Sequence, residues 1–167
     1  VFNGEIYNFR ALKRGALLDY PYETKSDTEV ILAALERWGH AALNRLEGMF
    51  AIAAWDTLEK RLLLARDGQG IKPLYFASLK NDLVFGSEIS ALFAAGVCPD
   101  VDESNLDMFL DLRFVPSPYT LFKGIEKLPP GHLLWVNRDG SFGSPTPFDF
   151  RAPLIEHGAS EEELAEQ

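Results

Sequence analysis

Residues 49–55 (Met-Phe-Ala-Ile-Ala-Ala-Trp) form an unbroken apolar run, and after a polar stretch at 56–60 the segment 61–65 returns to apolar character. Strands with one wet face alternate polar and apolar residues. A continuous run of this length between turn signals reads instead as a strand buried on both faces, or nearly so. The pair therefore predicts a β-hairpin. Further strand pairs are expected at 74–77 with 83–85, around Lys80-Asn81-Asp82, and at 132–136 with 141–142, around Asn137-Arg138-Asp139-Gly140.

Helical signals lie on both sides of this region. Ser26-Asp27-Thr28-Glu29 has the form of a capping box, with a serine to accept from free N–H groups and a glutamate three residues on. Val30, Ile31, Ala34, Leu35 and Trp38 follow at helical spacing, and Gly39 ends the run. Shorter helices are expected at 6–18, 41–46, 88–95 and 102–112, with another beginning at 161–166, and a brief strand at 19–25 around Tyr20 and Tyr22. Residues 115–130 read as a proline-rich loop. Strands flanked by helices without regular alternation predict an α+β fold with mainly antiparallel sheet. The chain of 167 residues is long enough for one domain with a sizeable core.

The formal net charge of -9 argues against nucleic acid and anionic membrane as main partners. No apolar run reaches the roughly 18 residues of a membrane-spanning helix. The single cysteine, Cys98, excludes an internal disulfide framework and a multi-cysteine zinc site, and a reducing cytoplasmic setting fits it. Cys98 stands between a helix end and a proline with no base nearby in sequence, which describes a buried structural cysteine or an incidental loop thiol.

Chemistry is carried by four segments. After the apolar pair Val1-Phe2, which reads as the tail of a strand, comes Asn3-Gly4-Glu5-Ile6-Tyr7-Asn8. Asn3-Gly4 reads either as an ordinary sharp turn or as a side-chain amide and a glycine N–H serving as two donors for a developing oxyanion. The second segment is the Ser26–Glu29 box, where Asp27 is favourable in a first helical turn for electrostatic reasons alone. The third, Ala65-Arg66-Asp67-Gly68-Gln69-Gly70-Ile71-Lys72-Pro73-Leu74-Tyr75, is glycine-rich but lacks the phosphate-loop pattern, and is read as a tight turn between strands. The fourth is Lys127-Leu128-Pro129-Pro130-Gly131-His132, where His132 is expected to fix backbone after a bend.

In this order and spacing, together with Phe85-Gly86-Ser87-Glu88-Ile89-Ser90-Ala91-Leu92 and Phe114-Val115-Pro116-Ser117-Pro118, these segments resemble the glutamine-hydrolysing asparagine synthetases. More broadly they resemble class II glutamine amidotransferases. The resemblance implies an N-terminal-nucleophile (Ntn) hydrolase fold, a layered α/β/β/α sandwich, here expected without its first strands. It implies a partial glutaminase domain over 1–146, with 147–167 as linker and start of a synthetase domain. In that family an N-terminal cysteine, with its own α-amine as base, attacks the glutamine amide to form a thioester, and ammonia leaves through a tunnel.

Carried onto this sequence, Asn3 and Gly4 match the oxyanion donors, and Glu5 and Asp27 match substrate-holding residues, Asp27 facing the α-ammonium. The nucleophile and the arginine for the substrate carboxylate are expected upstream of Val1, so the fragment alone is expected to be inactive. No metal site and no cofactor are expected within these residues. ATP and magnesium belong to the synthetase domain of the parent protein. Implied partners are glutamine, that synthetase domain in the same polypeptide, and a homodimer as a candidate assembly. Family members usually carry Arg-Phe where this chain has Gly68-Gln69. Two other readings stand beside this one: another class II amidotransferase, serving sugar, antibiotic or polysaccharide biosynthesis, and a non-catalytic protein that binds an amino acid.

Overall fold

The computed structural model describes residues 1–80 and 82–150. The expected hairpin is present as β2 (Gly48–Asp56) and β3 (Arg61–Arg66), paired antiparallel with Ala53 opposite Leu64. β1 (Phe2–Ile6) lies on the outer side of β2, and β7 (His132–Asn137) and β8 (Thr146–Pro147) continue beyond β3, giving a five-stranded sheet in the order β1-β2-β3-β7-β8. A second sheet has the order β5-β4-β6, from β4 (Tyr75–Leu79), β5 (Asp82–Gly86) and β6 (Ile125–Lys127). Every pairing is antiparallel.

The central hairpin is buried on both faces because each face meets a different layer. Phe50, Ile52, Leu63 and Ala65 point into a cluster with Ile31, Leu43 and Leu46 from the helical layer. Ala51, Ala53 and Leu64 point the other way, against Leu74, Phe76 and Leu128 of the second sheet and its connections. Small residues on the inter-sheet face of β2 let the sheets approach, while Phe50, wholly buried, fills the helical side, a contribution of about 2–3 kcal/mol. The helical layer is α1 (Phe9–Arg14) and α2 (Asp27–Trp38), followed by a 3-10 helix at Gly39–Arg45. On the far face of the second sheet, α3 (Ile89–Ala94) packs Leu92 with Ala77, Val97 and Ile125. The layers run helix, sheet, sheet, helix, as the family resemblance implies.

Several expectations are corrected. Asn3-Gly4 is not a turn: both residues lie inside β1, opposite Ala51 and Phe50. The helix expected over 6–18 is confined to α1, because Tyr7 continues the strand's hydrogen bonding, its N–H reaching the Glu47 carbonyl at 2.7 Å. Residues 19–25 form no strand. Their tyrosines stack edge-on at 5.0 Å, and Lys13 Nζ sits 3.8 Å from the Tyr22 ring centroid, so the alternation serves packing against α1. The proline-rich stretch contains β6, held to β4 by Ile125 opposite Ala77. The 102–112 helix is divided into a 3-10 turn, Glu103–Asn105, and α4, Leu106–Leu112, in which no residue is buried. Residues 141–142 contribute a single bridge, Val136 to Phe142. The helix expected at 161–166 lies outside the described residues.

The α2 cap forms differently from the capping-box pattern. Ser26 Oγ accepts from the Thr28 N–H at 3.1 Å, but Glu29 does not return to Ser26. Its carboxylate instead accepts from the Thr24 hydroxyl and from the N–H groups of Glu23 and Thr24, pinning the preceding loop. The Thr24 hydroxyl first, then the Glu23 N–H, hold this carboxyl below its ordinary value. With the folded value lowered, the folded state binds fewer protons than the unfolded one between the two values. The contribution is thus complete above the ordinary glutamate range and lost as pH falls through the lowered value. Glu29→Gln is expected to flatten that part of the acid-unfolding profile, which urea melts taken stepwise from neutral pH downward will measure.

Candidate functional site at the open edge of β1

β1 is the outermost strand of its sheet among the described residues. Its hydrogen-bonding phase is fixed at three points. Val1 exchanges both backbone bonds with Ala53, and Tyr7 donates to Glu47, while the Ile6 N–H points the other way, to Asp27 Oδ2 at 3.1 Å. Backbone groups alternate in direction along a strand, so Asn3 and Glu5 bond inward to β2, whereas the N–H groups of Phe2, Gly4 and Ile6 point outward along the edge. Side chains alternate across the sheet in the same way. Phe2 and Ile6 turn to the helical cluster, which leaves the side chains of Asn3 and Glu5 on the face towards the second sheet.

The glycine in this strand is a requirement of packing. Gly4 and Phe50 face each other as a non-hydrogen-bonded pair, the closer type of antiparallel pairing. A Cβ on Gly4 would overlap the Met49 carbonyl oxygen and lie 2.8 Å from Phe50 Cα, and its φ of +154° is one that other residues rarely adopt. Gly48 is its counterpart on β2, opposite Ile6, where a Cβ would overlap the Glu5 carbonyl. Two glycines in neighbouring close pairs draw β1 onto β2 and set the position of the outward Gly4 N–H.

Asn3 Nδ2 donates to Ser87 Oγ at 3.0 Å, a bond between the edge of the first sheet and the end of β5 in the second. The amide carries two hydrogens, so one remains available at the open edge. Asp27, half-buried, is the first residue of α2 and ties that helix N-terminus to β1 through Ile6. The residues Asn3, Gly4, Glu5 and Asp27 singled out in the sequence are therefore gathered along one edge, with Asn3 and Glu5 exposed. Together they present neutral donors beside two carboxylates, a set suited to a ligand with a polarised carbonyl and an ammonium group.

Ser87 had no assigned role in the sequence, and its separation from Asn3 gives no signal of the contact. Asp67 was likewise passed over. Its side chain, 1% exposed, accepts from four backbone N–H groups: Gln69 and Ile71 at Oδ1, Phe50 and Lys72 at Oδ2. Arg66 donates to the carbonyls of Gly70, Lys72 and Leu128, and burial is the main cause that lowers its pKa. The 65–75 segment is thus the tight turn expected, held from inside by a carboxylate and from outside by a guanidinium. A Cβ on Gly68 would overlap the Phe150 ring, so at this position an aromatic ring occupies the space a side chain would need. His132 Nδ1 lies 2.7 Å from the Pro130 carbonyl, in keeping with a backbone-fixing role. Cys98 is exposed in the loop after α3. Among the described residues no group of three or more His, Cys, Asp or Glu could hold a metal ion, and no helix is long and apolar enough to cross a membrane.

A cleft of about 690 Å³ lies elsewhere, between α2 and the far end of the central hairpin, with Leu32, Leu35, Trp55 and Trp135 in its lining and none of the four edge residues.

Residues 1–146 match the glutamine amidotransferase domain family. The chain is 36% identical over 149 residues to an asparagine synthetase (glutamine-hydrolyzing) of Bacillus subtilis, covering 89% of this chain and 24% of that protein. It is 38% identical over 149 residues to a putative asparagine synthetase of Mycobacterium tuberculosis, covering 83% and 22%. The chain thus spans about a quarter of the length of these curated relatives. Among solved structures, the glutamine phosphoribosylpyrophosphate amidotransferase of B. subtilis superposes with a TM-score of 0.61 at 22% identity, over 86% of this chain and 28% of that one, a likeness of fold. A helix-sheet-sheet-helix sandwich of this kind, matched over nearly its whole described length, places the chain in the class II glutamine amidotransferase domain family.

Proposed function

We propose that this domain releases ammonia from glutamine within an ATP-dependent asparagine synthetase, and that the open edge of β1 is one wall of the glutamine site. The observation that supports this reading is the placement of the Asn3 amide and the outward Gly4 N–H on successive residues of one edge strand, with the Asp27 carboxylate anchored at Ile6, two residues further along. A thiolate sulfur attacks the side-chain amide carbon of glutamine, and the carbonyl π electrons move onto oxygen. Asn3 Nδ2 and the Gly4 N–H stabilise that oxyanion. When it collapses, the C–N bond breaks, the nitrogen takes up the proton that the thiol lost on becoming a thiolate and leaves as ammonia, and a thioester remains. Water then releases glutamate and restores the thiol. Asp27 holds the substrate ammonium, with Glu5 as the second carboxylate on the same edge.

The family resemblance assigns the sulfur to an N-terminal cysteine rather than to Cys98, which sits exposed in the loop after α3. ATP and magnesium serve the amidation of aspartate in the synthetase part of the polypeptide, and the setting is cytoplasmic.

The test uses the intact polypeptide with glutaminase and ammonia-driven amidation assayed separately. Asn3→Ala is expected to lower kcat of glutamine hydrolysis on the order of 100-fold, as removal of one oxyanion donor does. Asp27→Asn is expected to raise the glutamine KM about tenfold or more, since a charge-assisted bond to the ammonium is lost. Cys98→Ala leaves both activities unchanged, and the 167-residue chain alone releases no glutamate above a buffer control. Glutaminase turnover untouched by Asn3→Ala would remove the edge of β1 from the reaction.

A further inference from the structure

We infer that Ser87 is a positioning residue for glutamine hydrolysis, holding the Asn3 amide in the orientation that the oxyanion needs. The inference rests on the proposed role of Asn3 and deepens it. Asn3 is exposed on an edge strand, where an asparagine side chain has several rotamers and a two-way amide. A preorganised donor cannot be left to sample them, because reorganisation at the moment of reaction is what such sites avoid. Among the described residues, the side-chain bond at Asn3 is to Ser87 Oγ at 3.0 Å.

Ser87 is suited to the task because its backbone is held from two sides. It directly follows Gly86, which pairs with Tyr75 in the second sheet. It stands two residues before α3, whose Leu92 is buried, and a Cβ on Gly86 would come within 3.3 Å of that leucine. Sheet and helix packing thus place the hydroxyl, half-buried, across the gap from β1. The neighbouring Glu88 carboxylate is engaged by the Ser90 hydroxyl at 3.1 Å. One amide hydrogen is taken by Ser87, which leaves the other for a ligand. Ser87 acts through Asn3.

A double-mutant cycle in the intact polypeptide tests this, with Ser87→Ala, Asn3→Ala and the double variant assayed for glutaminase kcat and KM, and thermal melts checking each fold. Ser87→Ala is expected to lower kcat about three- to tenfold, the scale of one neutral hydrogen bond, with KM changed less than about twofold. The double variant is expected to fall no further than Asn3→Ala alone, because the serine has nothing left to orient. Ser87→Thr, which keeps the hydroxyl, restores most of the rate. Additive losses, or an unchanged Ser87→Ala beside a crippled Asn3→Ala, overturn the positioning role while leaving the oxyanion reading in place. An Asn3→Ala variant with full turnover overturns both.

Discussion

Gly4→Ala is expected to destabilise the domain by about 3–5 kcal/mol, combining backbone strain with a clash that no rotamer relieves. The atoms a Cβ would meet are main-chain atoms, the Met49 carbonyl oxygen and Phe50 Cα, so nothing flexible can move aside. β1 must then lift from β2 over the pairs that surround Gly4, including Phe2 opposite Ile52 and Ile6 opposite Gly48. Phe2 and Ile6 would leave the helical-side core with it. Equilibrium urea unfolding of the variant and the parent chain measures the difference. Gly48→Ala is expected to behave alike, since its Cβ would strike the Glu5 carbonyl from the opposite strand. A loss below about 1 kcal/mol for both variants would show that the strands separate without difficulty, and that the close approach does not fix the Gly4 N–H.

The second large effect is expected at Asp67. Asp67→Ala removes the acceptor for four backbone N–H groups at a site 1% exposed, and is expected to cost about 4 kcal/mol. The Phe50 N–H is the worst placed to recover, because it lies in the buried centre of β2. Asp67→Asn does not rescue the site. Each carboxylate oxygen receives two N–H donors, so whichever position the amide nitrogen takes, it is set against a pair of donors. Urea unfolding checks the magnitude, and amide exchange at Gln69, Ile71 and Lys72 shows whether the 67–72 turn opens locally or with the whole domain. Equal stability of Asp67→Asn and the parent chain would show that charge and acceptor count are immaterial there.

How much of this was legible in the sequence depends on where the determining atoms lie. The central hairpin was readable because burial on two faces leaves a continuous apolar run, a property of the strand itself. The Ser26 cap was readable because donor and acceptor are two residues apart. The turn reading of Asn3-Gly4 fails because the need for glycine comes from Met49 and Phe50 on the partner strand, and an Asn-Gly pair looks the same in either setting. β6 was hidden among prolines because three residues carry no period, and its place is set by register against Tyr75, Phe76 and Ala77. The family resemblance marked Asn3, Gly4, Glu5 and Asp27 without showing that they share an edge. That became visible only through the alternation of N–H directions along β1. Ser87 and Asp67 lie within the motifs that carry the resemblance, yet what they hold in the structure is the Asn3 side chain for one and the backbone of β2 and the 67–72 turn for the other.

The bond from Ile6 to Asp27 has a consequence for association between molecules. An edge strand invites a foreign strand to add on, residue by residue, through its outward amides. Here the third of those amides is already taken by an aspartate at a helix start, leaving Phe2 and Gly4 as the outward amides ahead of that block. A guest strand laid along β1 meets a negative charge and a helix end after about two pairings, too short a ladder to be stable on its own. Asp27 therefore sets how far a strand can pair along this edge: the ladder open to it ends where the helix begins.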